Sequence, residues 1–294
     1  MSGNTVRVAG HELSLSNLEK DLYPPGGFTK ARVLEYYGRI APVLLPHLKD
    51  RALTLKRYPD GAEADYFFEK RCPPGRPAWL KTAEVPYGGG KKLTACLAND
   101  LQTLLWAANL ASLELHVPLA RASAPGTPDS VVFDLDPGEG AGLRECAEVA
   151  LLLKGLFDGM KLFSCVKTSG KKGLHVFVPL NTATDFHKTK AFSKAVAGVL
   201  QKNRPELVTA QMDKERRKGR VFINWSQNDA SKTMVAVYSL RAGPAPTVSF
   251  PLAWKDLEGP APALPPVAPD EAVARAQDDL FHEMLTKKQE LPYL

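Results

Sequence analysis

The sequence holds only four cysteines, Cys72, Cys96, Cys146 and Cys165, and none stands in a C-x-x-C pair or at Cys/His metal spacing. A zinc site is therefore not expected, and the thiols read as those of a reduced compartment. The N-terminus has no apolar core of a secretory signal, and no run approaches the roughly 18 apolar residues that span a bilayer. A soluble cytoplasmic protein without a membrane partner is the expectation. Also missing is the G-x-x-x-x-G-K-[ST] spacing of a P-loop, so any phosphate chemistry must rest on another scaffold.

What is present is ordinary globular material: 294 residues, of which 44% are hydrophobic and 24% charged. That is enough for a sizeable core, in one large domain or two small ones. A formal net charge of +6 and a sequence pI near 9.0 favour an anionic partner.

The most informative stretch is Ser130-Val131-Val132-Phe133-Asp134-Leu135-Asp136-Pro137-Gly138. Strand alternation sends Asp134 and Asp136 out of one face and Val131, Phe133 and Leu135 out of the other. Two carboxylates one strand repeat apart repel, and a divalent cation between them relieves the repulsion. Hard oxygen ligands select Mg²⁺ or Mn²⁺, held with waters and a substrate phosphate. Taken alone, D-x-D is also compatible with a solvated strand end.

Further along, Lys161 to Thr168 and Leu174 to Leu180 read as strands joined by Ser169-Gly170-Lys171-Lys172-Gly173. This hairpin turn carries lysines and backbone N–H groups suited to a triphosphate, with His175 one residue inside the second strand. A dense basic run, Lys214 to Arg220, precedes a strand read as Val221 to Asn228, with Asn224 at its middle. Lys232 to Arg241 reads as the next strand. Near the start, Thr29 caps a helix from Lys30 to Leu45, and Lys20 and Lys30 lie near the ends of this opening unit. Arg51 to Tyr58 reads as a strand, followed by Tyr66-Phe67-Phe68-Glu69-Lys70. Rings beside Lys56, Arg57 and Lys70 are the composition of a nucleic-acid platform. Pro86 to Lys92 is a glycine-rich basic loop, Leu101 to Leu115 an apolar helix, Leu143 to Phe157 and Asp185 to Leu200 amphipathic helices, and Asp270 to Leu285 a final helix.

The order D-L-D-P-G, T-S-G-K-K-G-L-H-V, F-I-N-W-S-Q-N-x(3)-K-T and Y-S-L-R resembles the polymerase domain of bacterial ligase D, a branch of the archaeo-eukaryotic primase superfamily. The likeness runs from L-S-N-L-E-K-x-L-Y-P to P-L-A-W-K-D-L, nearly the whole chain. It implies an α/β (α+β) primase-polymerase fold with a central, mostly antiparallel sheet of RNA-recognition-motif type and flanking helices. One domain would cover 1–294, with an N-terminal layer over about 1–120 and a catalytic core over about 121–294. The implied activity is gap filling and end extension in non-homologous end joining, with ribonucleotides preferred and two Mn²⁺ (or Mg²⁺) ions per site.

Carried over residue by residue, the resemblance makes Asp134 and Asp136 the acids that hold both metals. Ser169, Lys172 and His175 would surround the triphosphate, and His116, Gln227, Lys232 and Arg241 would occupy other nucleotide positions. Asn17, Lys20 and Lys30 would read the 5′-phosphate at the downstream edge of a gap. Lys56, Phe67, Phe68 and Lys70 would meet template and downstream strand, while Arg217 and the 87–92 loop would contact primer or a second DNA end. NTPs or dNTPs are the implied substrates, and DNA with 5′-phosphate ends or gaps, Ku and a DNA ligase the implied partners, in the cytoplasm or at the nucleoid during repair. The mechanism implied is two-metal phosphoryl transfer.

One departure stands out: the family carries a third metal-binding aspartate where this chain has Asn224. Asparagine keeps one carbonyl oxygen and loses the charge, so the ion that activates the 3′-hydroxyl should bind poorly. Slow or absent catalysis is expected. Two alternatives follow, a non-catalytic scaffold for DNA ends and a primase that starts chains without a primer. A phosphatase using D-x-D is disfavoured, because its acids follow a parallel strand and the hairpin here is antiparallel.

Overall fold

A computed structural model describes residues 4–259 and 264–292. In chain order the elements begin with β1 (Asn4–Val8), β2 (His11–Leu15), α1 (Lys30–Leu48), β3 (Ala52–Arg57), β4 (Phe67–Glu69), β5 (Thr82–Pro86), β6 (Lys92–Leu97), α2 (Leu101–Asn109) and β7 (Ser112–Val117). Next come β8 (Ser130–Pro137), α3 (Leu143–Gly159), β9 (Cys165–Thr168), β10 (Leu174–Pro179), α4 (Phe186–Asn203), β11 (Val208–Thr209) and β12 (Val221–Asn224). The last are β13 (Met234–Val235), β14 (Leu240–Arg241), β15 (Thr247–Val248), β16 (Pro251–Leu252), α5 (Pro269–Arg275) and α6 (Glu283–Thr286). The chain is of mixed α/β class, and it divides into two compact units: one of residues 1–123, 233–249 and 267–278, the other of 124–232, 250–266 and 279–294.

The unit built around residues 124–232 carries a six-stranded sheet in the order β11-β12-β8-β10-β9-β16. Every pairing in it is antiparallel except β11 with β12. Its core follows from the alternation in β8. Val131, Phe133 and Leu135 are fully buried with Val176 and Val178 of β10 and Ile223 of β12, under the apolar faces of α3 and α4. Phe133 meets Phe157 of α3 at 5.2 Å between ring centroids. Fully burying such a side chain contributes about 1.5–3 kcal/mol. The polar alternates of β8 are left on the opposite face. α4 starts where Asp185 accepts from the Lys188 N–H, a side-chain cap that satisfies an otherwise unpaired helix donor.

In the other unit, β13-β7-β3-β6-β5 run side by side and β4 adds to β3. α1 begins at Thr29, whose hydroxyl accepts from Arg32 N–H, and it is anchored by two buried phenols. Tyr36 donates to Tyr238 O and Tyr37 to Leu113 O, both at 2.7 Å.

Several elements differ from the sequence expectation. The apolar run 101–115 is not one helix: α2 stops at Asn109, Ala111 takes φ 57°, and 112–117 is β7. A short, continuously apolar run reads equally as buried helix or buried strand, and here the left-handed turn falls on an alanine that gives no warning. The strand read over 221–228 ends at Asn224, after which 225–227 form a 3₁₀ turn. That turn is held by Asn228, whose amide donates to Trp225 O and Val132 O. The strand read over 232–241 is interrupted at Tyr238, φ 63°, leaving β13 and β14. The final helix is likewise two, α5 and α6. Finally, Cys72 and Cys96, read as reduced thiols, are joined as a disulfide with Cα atoms 4.9 Å apart. A backbone bond from Cys72 N to Thr94 O lays residue 72 beside β6, a juxtaposition that a separation of 24 residues does not announce.

Candidate functional site

The polar face of the six-stranded sheet carries a row of side chains in register. Asp134 on β8 faces His175 on β10 and Asn224 on β12, and His175 in turn faces Lys167 on β9. Strand pairing alone therefore aligns four polar residues across four strands. His175 Nε2 lies 3.3 Å from Asp134 Oδ1. Its Nδ1 is 2.8 Å from Lys167 Nζ. An ammonium can only donate, so Nδ1 accepts and the imidazole proton sits on Nε2, pointing at the carboxylate. The second oxygen, Asp134 Oδ2, accepts from Asn224 Nδ2 at 3.3 Å and Gln227 Nε2 at 3.2 Å. Asn224 Oδ1 accepts from Ser226 Oγ at 2.7 Å.

The two acids differ in charge state. Burial pushes Asp134 up, yet its bond to His175, the Gln227 amide and nearby Lys167 outweigh burial and hold it below its ordinary value. Among the described residues Asp136 has no such partners. Burial first and the neighbouring Asp134 charge second push it up to about 7, with Arg217 pulling the other way. An acid raised by its neighbour's charge marks a site with excess negative potential, one that a cation would relieve. The two carboxylates fit one divalent ion with hard oxygen ligands. A second ion lacks a third carboxylate, because Asn224 presents its amide nitrogen to Asp134. Among the described residues no group of three His, Cys, Asp or Glu could hold a metal.

The S-G-K-K-G turn closes on Ser169, whose Oγ accepts from Lys171 N at 3.2 Å and Gly173 N at 3.1 Å. Those two N–H groups are thus engaged within the turn, and Lys172 projects into solvent. Gly173 makes the turn possible where it is: a Cβ there would stand 2.1 Å from Leu135 O, on the backbone between the two acids. Gly138 plays the same part at the other end of the motif, where a Cβ would meet Arg217 O at 1.9 Å.

Arg217 is turned inward. Its guanidinium lies 3.8 Å from the centroid of Phe222, Nη2 donates to Met212 O at 2.6 Å, and Nε is buried without a partner among the described residues. Its neighbours Arg216, Lys218 and Arg220 line a cleft of about 680 Å³ with Lys202 of α4. Lys232 is exposed, next to the Asp229–Lys190 ion pair.

The remaining candidates lie in the unit that holds α1. Asn17, at φ 51°, accepts from Lys20 N, and Lys30 N donates to Lys20 O, so the two lysines are brought together at the start of α1. Lys30 Nζ donates to Ser16 Oγ at 3.2 Å, and Lys20 pairs with Asp60 at 3.0 Å. Burial, with Arg57 and Lys20 adding repulsion, lowers Lys30 to about 8. Phe67 and Phe68 on the short strand β4 are 45% and 51% exposed, with Arg57 over the Phe67 ring. Phe68, Lys70, Arg71 and Tyr87 line a cleft of about 420 Å³.

Lys56, assigned to the DNA platform, and His116 and Arg241, assigned to the nucleotide, share a partner that the sequence reading missed. All three surround the buried carboxylate of Glu114. Alternation in S-L-E-L-H-V places Glu114 and His116 on one face, but only once 112–117 is read as a strand. Lys167 was missed for a related reason: its importance comes from facing His175, which needs the register.

Residues 29–280 match the LigD primase-polymerase domain family. The chain is 41% identical over 248 residues, 84% of its length, to the multifunctional non-homologous end joining protein LigD of Mycolicibacterium smegmatis, of which it covers 32%. It is 39% identical over 275 residues, 91% of its length, to the multifunctional non-homologous end joining DNA repair protein LigD of Mycobacterium tuberculosis, of which it covers 36%. The chain thus spans about a third of these curated relatives. Among solved structures, the polymerase domain from Mycobacterium tuberculosis Ligase D in complex with DNA superimposes with a TM-score of 0.88 at 38% identity, over 94% of this chain and 99% of that one. The chain belongs to the LigD primase-polymerase domain family.

Proposed function

We propose that the chain is a template-directed nucleotidyltransferase of non-homologous end joining, which adds nucleotides, preferentially ribonucleotides, to a primer 3′-hydroxyl at gaps and broken ends. The observation that carries this reading is the row Lys167–His175–Asp134–Asn224, with Asp136 beside it, on the polar face of the sheet. Asp134 and Asp136 would hold Mn²⁺ or Mg²⁺ together with the nucleotide phosphates. A divalent ion so bound neutralises phosphate charge and aligns the attacking hydroxyl. Asp134 is kept ionised and oriented by His175, which Lys167 fixes in one tautomer. Lys172 and the basic residues of the hairpin turn attract the triphosphate. Most of the rate enhancement in such transfers is positioning and electrostatic stabilisation.

DNA is the partner this reading requires, with the Lys20–Lys30 pair at the start of α1 receiving a 5′-phosphate and exposed Phe67 and Phe68 offering stacking faces. Ku and a DNA ligase are the further partners this reading expects, on the family resemblance alone. A second reading is supported by Asn224 donating to Asp134: with the third carboxylate missing, the chain extends primers slowly and acts chiefly by holding ends. Extension of a gapped duplex bearing a 5′-phosphate, with Mn²⁺ and ribonucleotides, tests the first reading. Absence of any addition by this chain and by its Asn224→Asp form, with 5′-phosphate-dependent binding retained, would favour the second.

A further inference from the structure

Glu114 is the most enclosed acid of its unit, with no exposure to solvent. Its two oxygens have divided roles. Oε1 accepts from Tyr58 Oη at 3.0 Å and from the Ala242 backbone N–H at 3.2 Å. Those neutral bonds fix the carboxylate to the residues just beyond β3 and just beyond β14. Oε2 faces three basic groups: His116 Nε2 at 3.0 Å, Arg241 Nη1 at 3.4 Å and Lys56 Nζ at 3.7 Å.

The three basic groups are constrained further. Lys56 Nζ sits 3.8 Å from the Tyr66 ring centroid and 5.3 Å from that of Phe68, and Phe68 also packs edge-on against His116. Arg241 is different. One guanidinium nitrogen is tied to Glu114, while its Nε is buried and has no hydrogen-bond partner among the described residues. A buried donor without a partner is costly to desolvate, which favours an anionic group beside the guanidinium. Arg side chains lose much rotamer entropy when fixed, and an ion pair made in advance reduces what the ligand must contribute.

We infer that Glu114 is a positioning residue for nucleotide binding: through Oε2 it holds Arg241, with His116 and Lys56, in the geometry that receives an anionic group of the nucleoside triphosphate. The inference rests on the reading of His116 and Arg241 as nucleotide-binding residues. Glu114 itself touches no substrate. Its contribution passes through Arg241, so removing either residue removes the same interaction.

The test is a double-mutant cycle on the full chain, with ATP and Mn²⁺ as the probe, read by calorimetry and with thermal unfolding as the folding control. Glu114→Gln keeps the shape and the acceptor for Tyr58 but loses the charge. It is expected to weaken ATP binding about 10-fold, as is Arg241→Gln, and the double variant should bind no more than about 2-fold worse than the weaker single. Because Glu114 is buried, Tyr58→Phe provides a gentler version that removes one of the two donors to Oε1. It should weaken ATP about 3-fold, with the same non-additivity toward Arg241→Gln. Unchanged ATP affinity in the folded variants, or losses that multiply, overturn the inference while leaving the nucleotide reading intact. An unaltered chain that binds gapped duplex but not ATP overturns the nucleotide reading itself, and the inference with it.

Discussion

The amide nitrogen of Asn224 stands 3.3 Å from Asp134 Oδ2, so the residue facing the acid across the β8–β12 ladder donates a hydrogen bond to it and adds no charge. Asn224→Asp would place a second carboxylate there. Without metal the two acids repel, and the unfolding midpoint should fall. Mn²⁺ should raise it by more than in the unaltered chain, because a ligand that binds only the folded state stabilises by mass action. In extension on a gapped duplex the Asp form should be faster by about 100-fold, or ~3 kcal/mol of transition-state stabilisation. Equal rates for the two forms, with equal DNA binding, would show that position 224 does not limit the chemistry.

The lysine at the start of α1 gives a pH dependence. Lys30 is lowered to about 8 by burial and by Arg57 and Lys20, against an ordinary lysine value near 10.4. Between those two values the unfolded chain binds more protons than the folded one, so the Lys30 contribution to stability rises with pH across about 8 to 10. Below about 8 both states are protonated, and the cost of holding the buried charge is fully present. Phosphate recognition runs the opposite way, since only the ammonium attracts an anion. The preference for a 5′-phosphorylated over a 5′-hydroxyl gapped duplex, measured by anisotropy, should therefore shrink between pH 7 and 9. Lys30→Arg, which cannot lose its proton in that range, should flatten the curve.

Gly173 is a packing constraint on the two acids. An added Cβ would stand 2.1 Å from Leu135 O, a backbone atom and not the end of a flexible side chain. Gly173→Ala should cost about 1–3 kcal/mol, read by denaturant unfolding. It should also lower Mn²⁺ affinity, because the strand that must shift carries both Asp134 and Asp136. Gly75→Ala, where a Cβ meets nothing within 4 Å, is the control and should leave both quantities nearly unchanged.

Much of the sheet that carries the acids was legible from alternation. Val131, Phe133 and Leu135 are core and Asp134 and Asp136 lie opposite, and the hairpin around 169–173 joins β9 and β10. The helix starts at Thr29 and Asp185 were also legible, because a capping side chain leaves a local signal. What the sequence could not show depends on partners far along the chain. Lys167 matters because register sets it opposite His175, and Glu114 because β14 returns Arg241 to it. Left-handed backbone at Ala111 and Tyr238, neither of them glycine or asparagine, removed the usual marks of a break.

The structure divides the basic run 214–220, where the resemblance makes Arg217 a DNA contact, in two. Arg217 packs on Phe222 and donates to Met212 O, whereas Arg216, Lys218 and Arg220 line the cleft with Lys202. The two groups should therefore respond differently to substitution. Arg217→Ala removes a packed guanidinium and its hydrogen bond to a carbonyl, and should cost about 1–2 kcal/mol of stability. Replacing Arg216, Lys218 and Arg220 together with serine removes two exposed charges and the half-buried one of Arg220, and should leave stability within about 1 kcal/mol. If the cleft tracks a phosphate backbone, each lost contact reduces the dependence of log affinity on log salt by about 0.7 to 0.9. The measurement is DNA anisotropy across a salt series. A triple variant whose salt slope equals that of the unaltered chain would place the DNA elsewhere, and an Arg217→Ala chain as stable as its parent would mean that the inward packing contributes nothing.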